Sequence, residues 1–162
     1  MSEQEATKPL VLFVDDMPDF PQMVAVGVVY YEAPFEAAFA SDRESALRVI
    51  RDRRPAAVVL DVNLSGETGI SIAEHLRDYY PHISKAVLTA YDLTKTRESA
   101  DEFGMPVWSK TATMPELIEK VVALLASRGS AGQTAPAHLA NAVRMLAAML
   151  GLVAGAHVHK VH

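Results

Sequence analysis

Five short apolar runs set the frame for this chain. They are Leu10–Val14, Phe35–Ala40, Ala56–Leu60, Ala86–Thr89 and Pro106–Trp108. Three are almost unbroken in apolar residues, as expected for strands covered on both faces of a parallel sheet. Between them, apolar residues recur at helical spacing. Phe20, Met23, Val24 and Val28 form one stripe, and Ala46, Leu47 and Ile50 a second. Ile72, Ala73 and Leu76 form a third, and Leu117, Ile118, Val121, Val122 and Leu125 the strongest. Ser41 with Glu44, and Thr113 with Glu116, have capping-box spacing at two helix starts. Strands alternating with helices imply right-handed crossovers. The expected fold is therefore α/β: a doubly wound, five-stranded parallel sheet with five helices.

Composition narrows the function. The chain has 162 residues, 20 acidic and 15 basic, for a net charge of −5. General nucleic-acid binders carry the opposite sign, so broad phosphate-backbone binding is disfavoured. With no cysteine, thiol catalysis, disulfides and cysteine-held metals are excluded. The N-terminus has no secretory pattern. The longest apolar run, Met145–Ala156, is short of the roughly 18 residues a membrane span needs. A soluble, cytoplasmic protein is expected. All the acids lie in residues 1–128, which carry −7, whereas residues 129–162 carry +2. A Gly/Ser-rich stretch at this boundary suits a flexible linker. The expected division is a disordered N-terminus over 1–8, a domain over 9–127, a linker over 128–136 and an apolar helix over 137–158.

In a doubly wound sheet, ligands bind outside the carboxyl ends of the strands. Asp15 and Asp16 follow the first strand, Asp61 the third, Thr89 the fourth and Lys110 the fifth. Three carboxylates crowded together repel unless a cation joins them. A hard divalent ion such as Mg²⁺ takes carboxylate, carbonyl and water oxygens. The Lys110 ammonium can hold a phosphoryl oxygen, and a threonine hydroxyl can donate to another. One carboxylate can act as a nucleophile toward phosphorus. The set suits phosphoryl transfer by positioning and charge neutralisation. Singly, each group has an ordinary alternative role, such as a helix N-cap for Asp61.

These residues sit in the motifs VLFVDDMPDF, VVLDVNLSGETGI, AVLTAYD and WSKT. Together they resemble the receiver domain of two-component response regulators, over roughly Pro9 to Ser127. The resemblance implies that Asp61 is the phosphoacceptor, loaded by a histidine kinase or a histidine phosphotransfer protein. It implies that Asp15 and Asp16 organise Mg²⁺ (Mn²⁺ being an alternative), with Asp16 the preferred direct ligand. Asn63 would add its backbone carbonyl to the metal. Thr89 would be the switch hydroxyl, Ala90 the small residue beside it and Lys110 the phosphoryl-pairing lysine. Gly66 and Gly69 would fit the loop after the acceptor, and Asn63 and Tyr91 would tune phosphoryl lifetime. The sequence departs from the family at Thr111, where proline usually follows the lysine in a cis bond, and at Ser65, another common proline. The family's rotating aromatic falls at Val107, with Trp108 one residue later. The switch is thus assigned to Thr89, with Trp108 or Val107 beside it and Trp108 weighted toward the core.

The expected function is a phospho-accepting receiver that signals by protein contact, without nucleic acid or a membrane span. It would catalyse only its own aspartyl phosphorylation and dephosphorylation. The alternatives are a phosphorylation-independent adaptor or dimerisation module, and a phosphatase. Asn63 stands where a phosphatase would need an acid. In the tail, Leu139, Ala142, Leu146, Met149, Val153 and Ala156 repeat at spacings of three and four, a pattern suited to helix pairing. A homodimer through 137–158 is the first expectation, and docking on the chain's own domain the second.

Overall fold

The computed structural model describes residues 7–64, 67–90, 98, 100, 101 and 103–128. The first strand, β1 (Leu10–Val14), leads into α1 (Asp19–Tyr30) and then β2 (Glu36–Ala40). Helix α2 (Arg43–Arg53) precedes β3 (Ala57–Asp61). A small antiparallel ribbon of β4 (Asn63–Leu64) and β5 (Glu67–Thr68) then opens α3 (Gly69–Tyr79). Two more strands, β6 (Ser84–Thr89) and β7 (Val107–Ser109), and a last helix, α4 (Met114–Ser127), complete the described chain. The five main strands form one sheet in the order β2-β1-β3-β6-β7, parallel throughout. This is the expected doubly wound α/β fold.

Glu98, Ala100 and Asp101 are helical; the rest of the helix expected between β6 and β7 lies outside the described residues. So do Ser65, Gly66 and Tyr91, the linker 128–136 beyond Arg128 and the apolar segment 137–158. Lys8, assigned to a disordered N-terminus, donates from Nζ to the Ala33 carbonyl at 3.1 Å.

Two apolar layers hold the sheet. On one face Val11, Phe13, Val59 and Trp108 pack beneath α1 and α4, which supply Phe20, Val24, Ile118 and Val121. On the other, Leu12, Val14, Val58 and Leu60 pack beneath Ile50 of α2 and Ile72 and Leu76 of α3. Alternate strand residues serve opposite layers, as the twofold period of a strand requires. β3 is buried at every position, the burial expected of a central parallel strand.

Two local readings change. The cap of α2 is Asp42, whose side chain accepts from the Ser45 N–H at 2.7 Å, and not Ser41 with Glu44. The helix starts one residue later than expected, which frees Glu44 to pair with Arg48 one turn on. Met23 leaves the apolar stripe of α1 and is 51% exposed, while Gly27 takes the buried position. The Thr113–Glu116 capping box of α4 forms as expected.

The turn from β3 into α3 requires a glycine. The Gly69 N–H donates to the Val62 carbonyl at 3.0 Å, and a Cβ at Gly69 would overlap the backbone carbonyl of Asp61. Backbone cannot yield as a flexible side chain can. Gly69→Ala is expected to lower stability by about 2 kcal/mol or more and to shift the Asp61 backbone. Urea unfolding checks the first effect. A wild-type midpoint would show that the turn can open at no cost.

Candidate phosphoryl-transfer site

The expected groups meet at the carboxyl edge of the sheet. Asp15 leaves β1 with its N–H donating to the Ala40 carbonyl of β2 at 3.0 Å. Asp61 is the last residue of β3, and Thr89 is the last of β6, buried to 1% exposure. Lys110 follows β7, and its N–H donates to the Thr89 carbonyl at 2.9 Å. The ladder between β6 and β7 therefore continues by one bond past the strand end and aims the lysine inward.

The Lys110 ammonium sits between two buried carboxylates. Its Nζ lies 2.7 Å from Asp61 Oδ2 and 2.5 Å from Asp15 Oδ2. The other oxygen of each acid is held locally. Asp15 Oδ1 accepts from the Met17 N–H at 2.9 Å, and Asp61 Oδ1 from the Asn63 N–H at 3.1 Å. Asp15 Oδ2 is buried and has no hydrogen bond of acceptable angle, so the close ammonium holds it through charge. Asp16 is half-buried, and one oxygen from each of Asp15, Asp16 and Asp61 lies within 4.8 Å of the others. Against three carboxylates, Lys110 supplies one positive charge.

Burial pushes the Asp61 carboxyl above the ordinary carboxylate value, against the opposing pull of the Lys110 and Asn63 hydrogen bonds. Lys110 moves the other way in its balance. Burial disfavours the ammonium, but the close Asp15 and Asp61 carboxylates outweigh it and raise the lysine above its usual value. The site holds Lys110 firmly charged and holds Asp61 as a costly anion.

A divalent cation fits this donor set. Three carboxylate oxygens are close enough to share one ion, and a buried acid oxygen lacks a well-directed hydrogen bond. Asn63 contributes its backbone N–H to Asp61. Ala90 is exposed beside Thr89, and Gly69 abuts the Asp61 carbonyl.

One residue was not singled out from the sequence for the site. Phe20, read there as part of an apolar stripe, places its ring 5.3 Å from Lys110 Nζ, a cation–π distance. An apolar stripe carries no signal of such a contact. Trp108 is 7% exposed and packs in the layer beneath α1 and α4, while Val107 faces the opposite layer, half-buried. Beyond Lys110, the Ser109 and Thr111 hydroxyls lie 2.7 Å apart, and the Thr111 N–H donates to Ser109 Oγ at 3.1 Å. There is no cis peptide bond among the described residues.

The family model of the response regulator receiver domain matches residues 11–122. The chain belongs to that family. The receiver is 35% identical over 125 residues to the transcriptional regulatory protein PrrA of Mycobacterium tuberculosis. That match covers 76% of this chain and 53% of PrrA, so the receiver spans about half the length of this relative. Its fold matches a CheY-like receiver domain protein from Methanospirillum hungatei with a TM-score of 0.70 at 18% identity, covering 78% of this chain and all of the other. It also matches a Burkholderia pseudomallei response regulator described with a phosphorylated aspartic acid and a calcium ion, with a TM-score of 0.62 at 24% identity. That match covers 75% of the receiver and 69% of the other chain. The expectation of no nucleic-acid contact meets a relative named as a transcriptional regulator. None of the helices in the described residues is long and apolar enough to cross a membrane.

The Asp61 shift carries a sign. Because its folded value is raised, the folded receiver binds that proton more readily than the unfolded chain. The group's favourable contribution is complete below its ordinary value of 3.8 and is lost as pH rises through the folded value. At neutral pH the anion burdens the metal-free fold. Asp61→Asn is expected to raise the thermal midpoint at pH 7 without divalent metal, with the gain shrinking as the pH approaches 3.8. A scanning-calorimetry series over pH checks this. A midpoint lower than wild type at pH 7 would mean that the Lys110 pair outweighs burial.

Proposed function

We propose that this receiver accepts a phosphoryl group on Asp61 from a histidine kinase or a histidine phosphotransfer protein in the cytoplasm. The observation that carries the reading is the Lys110 ammonium between Asp15 and Asp61, with the Asp16 carboxylate within reach. Membership of the receiver family supports it. So does the phosphorylated aspartate described for the Burkholderia protein of the same fold.

In this reading an Asp61 oxygen attacks phosphorus. The O–P bond forms as the bond from phosphorus to the donor imidazole breaks, and the electron pair leaves with that nitrogen. Asp15, Asp16, Asp61 and the Asn63 carbonyl would hold Mg²⁺, which when bound supplies charge neutralisation at the phosphoryl oxygens. Lys110 exchanges its contact with Asp61 Oδ2 for a phosphoryl oxygen while keeping Asp15. Thr89 offers a hydroxyl at the end of the neighbouring strand. Phe20 lines the approach with an apolar ring that keeps the ammonium poorly hydrated and directed inward.

The receiver then signals by protein contact. Within residues 129–162 the permanently charged groups are Arg144 and Lys160, a weak electrostatic footprint for DNA in that segment. The chemistry of the chain is limited to loading and unloading its own aspartate.

Incubation with acetyl phosphate and Mg²⁺ should add about 80 Da to the intact chain. Asp61→Ala should show no adduct, and Lys110→Ala should load roughly 100-fold more slowly, the weight of one well-placed charge donor. Absence of the adduct with every donor tried, or equal loading of Asp61→Ala, would remove this reading.

A further inference from the structure

Helix α1 breaks the rule that a surface helix carries a polar outer face. After Asp19 at its start it contains no charged residue, and Gln22 is its one exposed amide. Its buried side is Phe20, Val24 and Gly27, yet Val26, Val29 and Tyr30 on the outside are 69%, 77% and 76% exposed. A helix apolar on all sides is normally covered. Beside this face an open groove of about 870 Å³ runs between α1 and the edge strand β2, lined in part by Val28, Val29 and Phe39, with Glu32, Glu36 and Lys8 as its charged residues.

We propose that residues 137–158 of the same chain dock on this outer face of α1 and its groove. The segment has matching chemistry. Leu139, Leu146, Met149 and Val153 recur at helical spacing, Arg144 is the one cation among 137–158, and there is no acid. It therefore offers an apolar stripe to α1 and no acid that Glu32 and Glu36 would repel.

The connection reaches. In a parallel sheet, α1 after β1 and α4 after β7 both return from the carboxyl edge toward the amino edge. They pack against each other, with Met114 of α4 seated where Gly27 of α1 has no side chain. The described chain leaves α4 at Arg128. Residues 128–136 can span at most about 30 Å when extended, enough to turn back from the amino edge onto the neighbouring α1. A tether this short gives an effective concentration in the millimolar range. Docking within one chain then outcompetes a second copy at micromolar protein. The site edge is involved as well, because α1 begins three residues after Asp16 and carries Phe20 beneath Lys110.

Limited trypsin digestion of the full chain tests this through cleavage after Arg144. The docked segment should be cut roughly tenfold more slowly in wild type than in Val29→Asp, the weight of one buried valine. That protection should survive dilution. Met149→Asp leaves the sequence of residues 1–128 intact, so it should release the segment equally and decides the matter if Val29→Asp disturbs α1. Wild-type cleavage rates in Met149→Asp would overturn the proposal. So would protection that fades on dilution, which would make a second copy the occupant.

Discussion

One ammonium between two buried carboxylates organises the carboxyl edge of this sheet. Asp15, Asp61 and Lys110 come from three different strand ends. They can meet only if β1 and β3 are neighbours and β7 lies close on the same side, as the order β2-β1-β3-β6-β7 provides. Removal of the ammonium would leave two buried anions facing a third, and like charges at such range cannot all stay ionised in a medium of low dielectric. Lys110 offsets one of the three negative charges. The remainder is the electrostatic reason that the donor set fits a divalent cation.

The two buried acids are treated alike. Each gives one oxygen to a backbone N–H two residues ahead and turns the other to Lys110. These local bonds fix one oxygen of each carboxylate independently of the lysine. The glycine at the start of α3 belongs to the same arrangement. It lets the helix pack directly on the Asp61 carbonyl, which pins the strand end from behind.

Most of the frame was legible because apolar period and strand-end chemistry are properties of the sequence itself. All five main strands lie within two residues of the runs that announce them, and the five polar groups fall at the edge where a doubly wound sheet puts its ligands. Other features depend on three-dimensional contact. The burial of Gly27 on α1 comes from Met114 of α4, which fills the space where a side chain would stand. The α2 cap shifts to Asp42 because Ser45 answers its side chain. The ribbon of β4 and β5 is two residues per strand, too short for any period to register. Phe20 beneath Lys110 joins residues 90 apart.

The loop after Lys110 shows how a departure from a family pattern can leave a site intact. With Thr111 in place of proline, the lysine loses a rigid neighbour. The direction of Lys110 is nevertheless set before that residue, by its own N–H on the Thr89 carbonyl. Beyond it, the Ser109 hydroxyl takes the Thr111 N–H and meets the Thr111 hydroxyl, while the Ala112 N–H returns to the Ser109 carbonyl. Local side-chain bonds of this kind close a turn without proline. The ammonium reaches both acids with no cis bond in the described backbone. What aims the lysine is therefore the continued strand ladder, and the residue after it needs only to let the chain turn into α4.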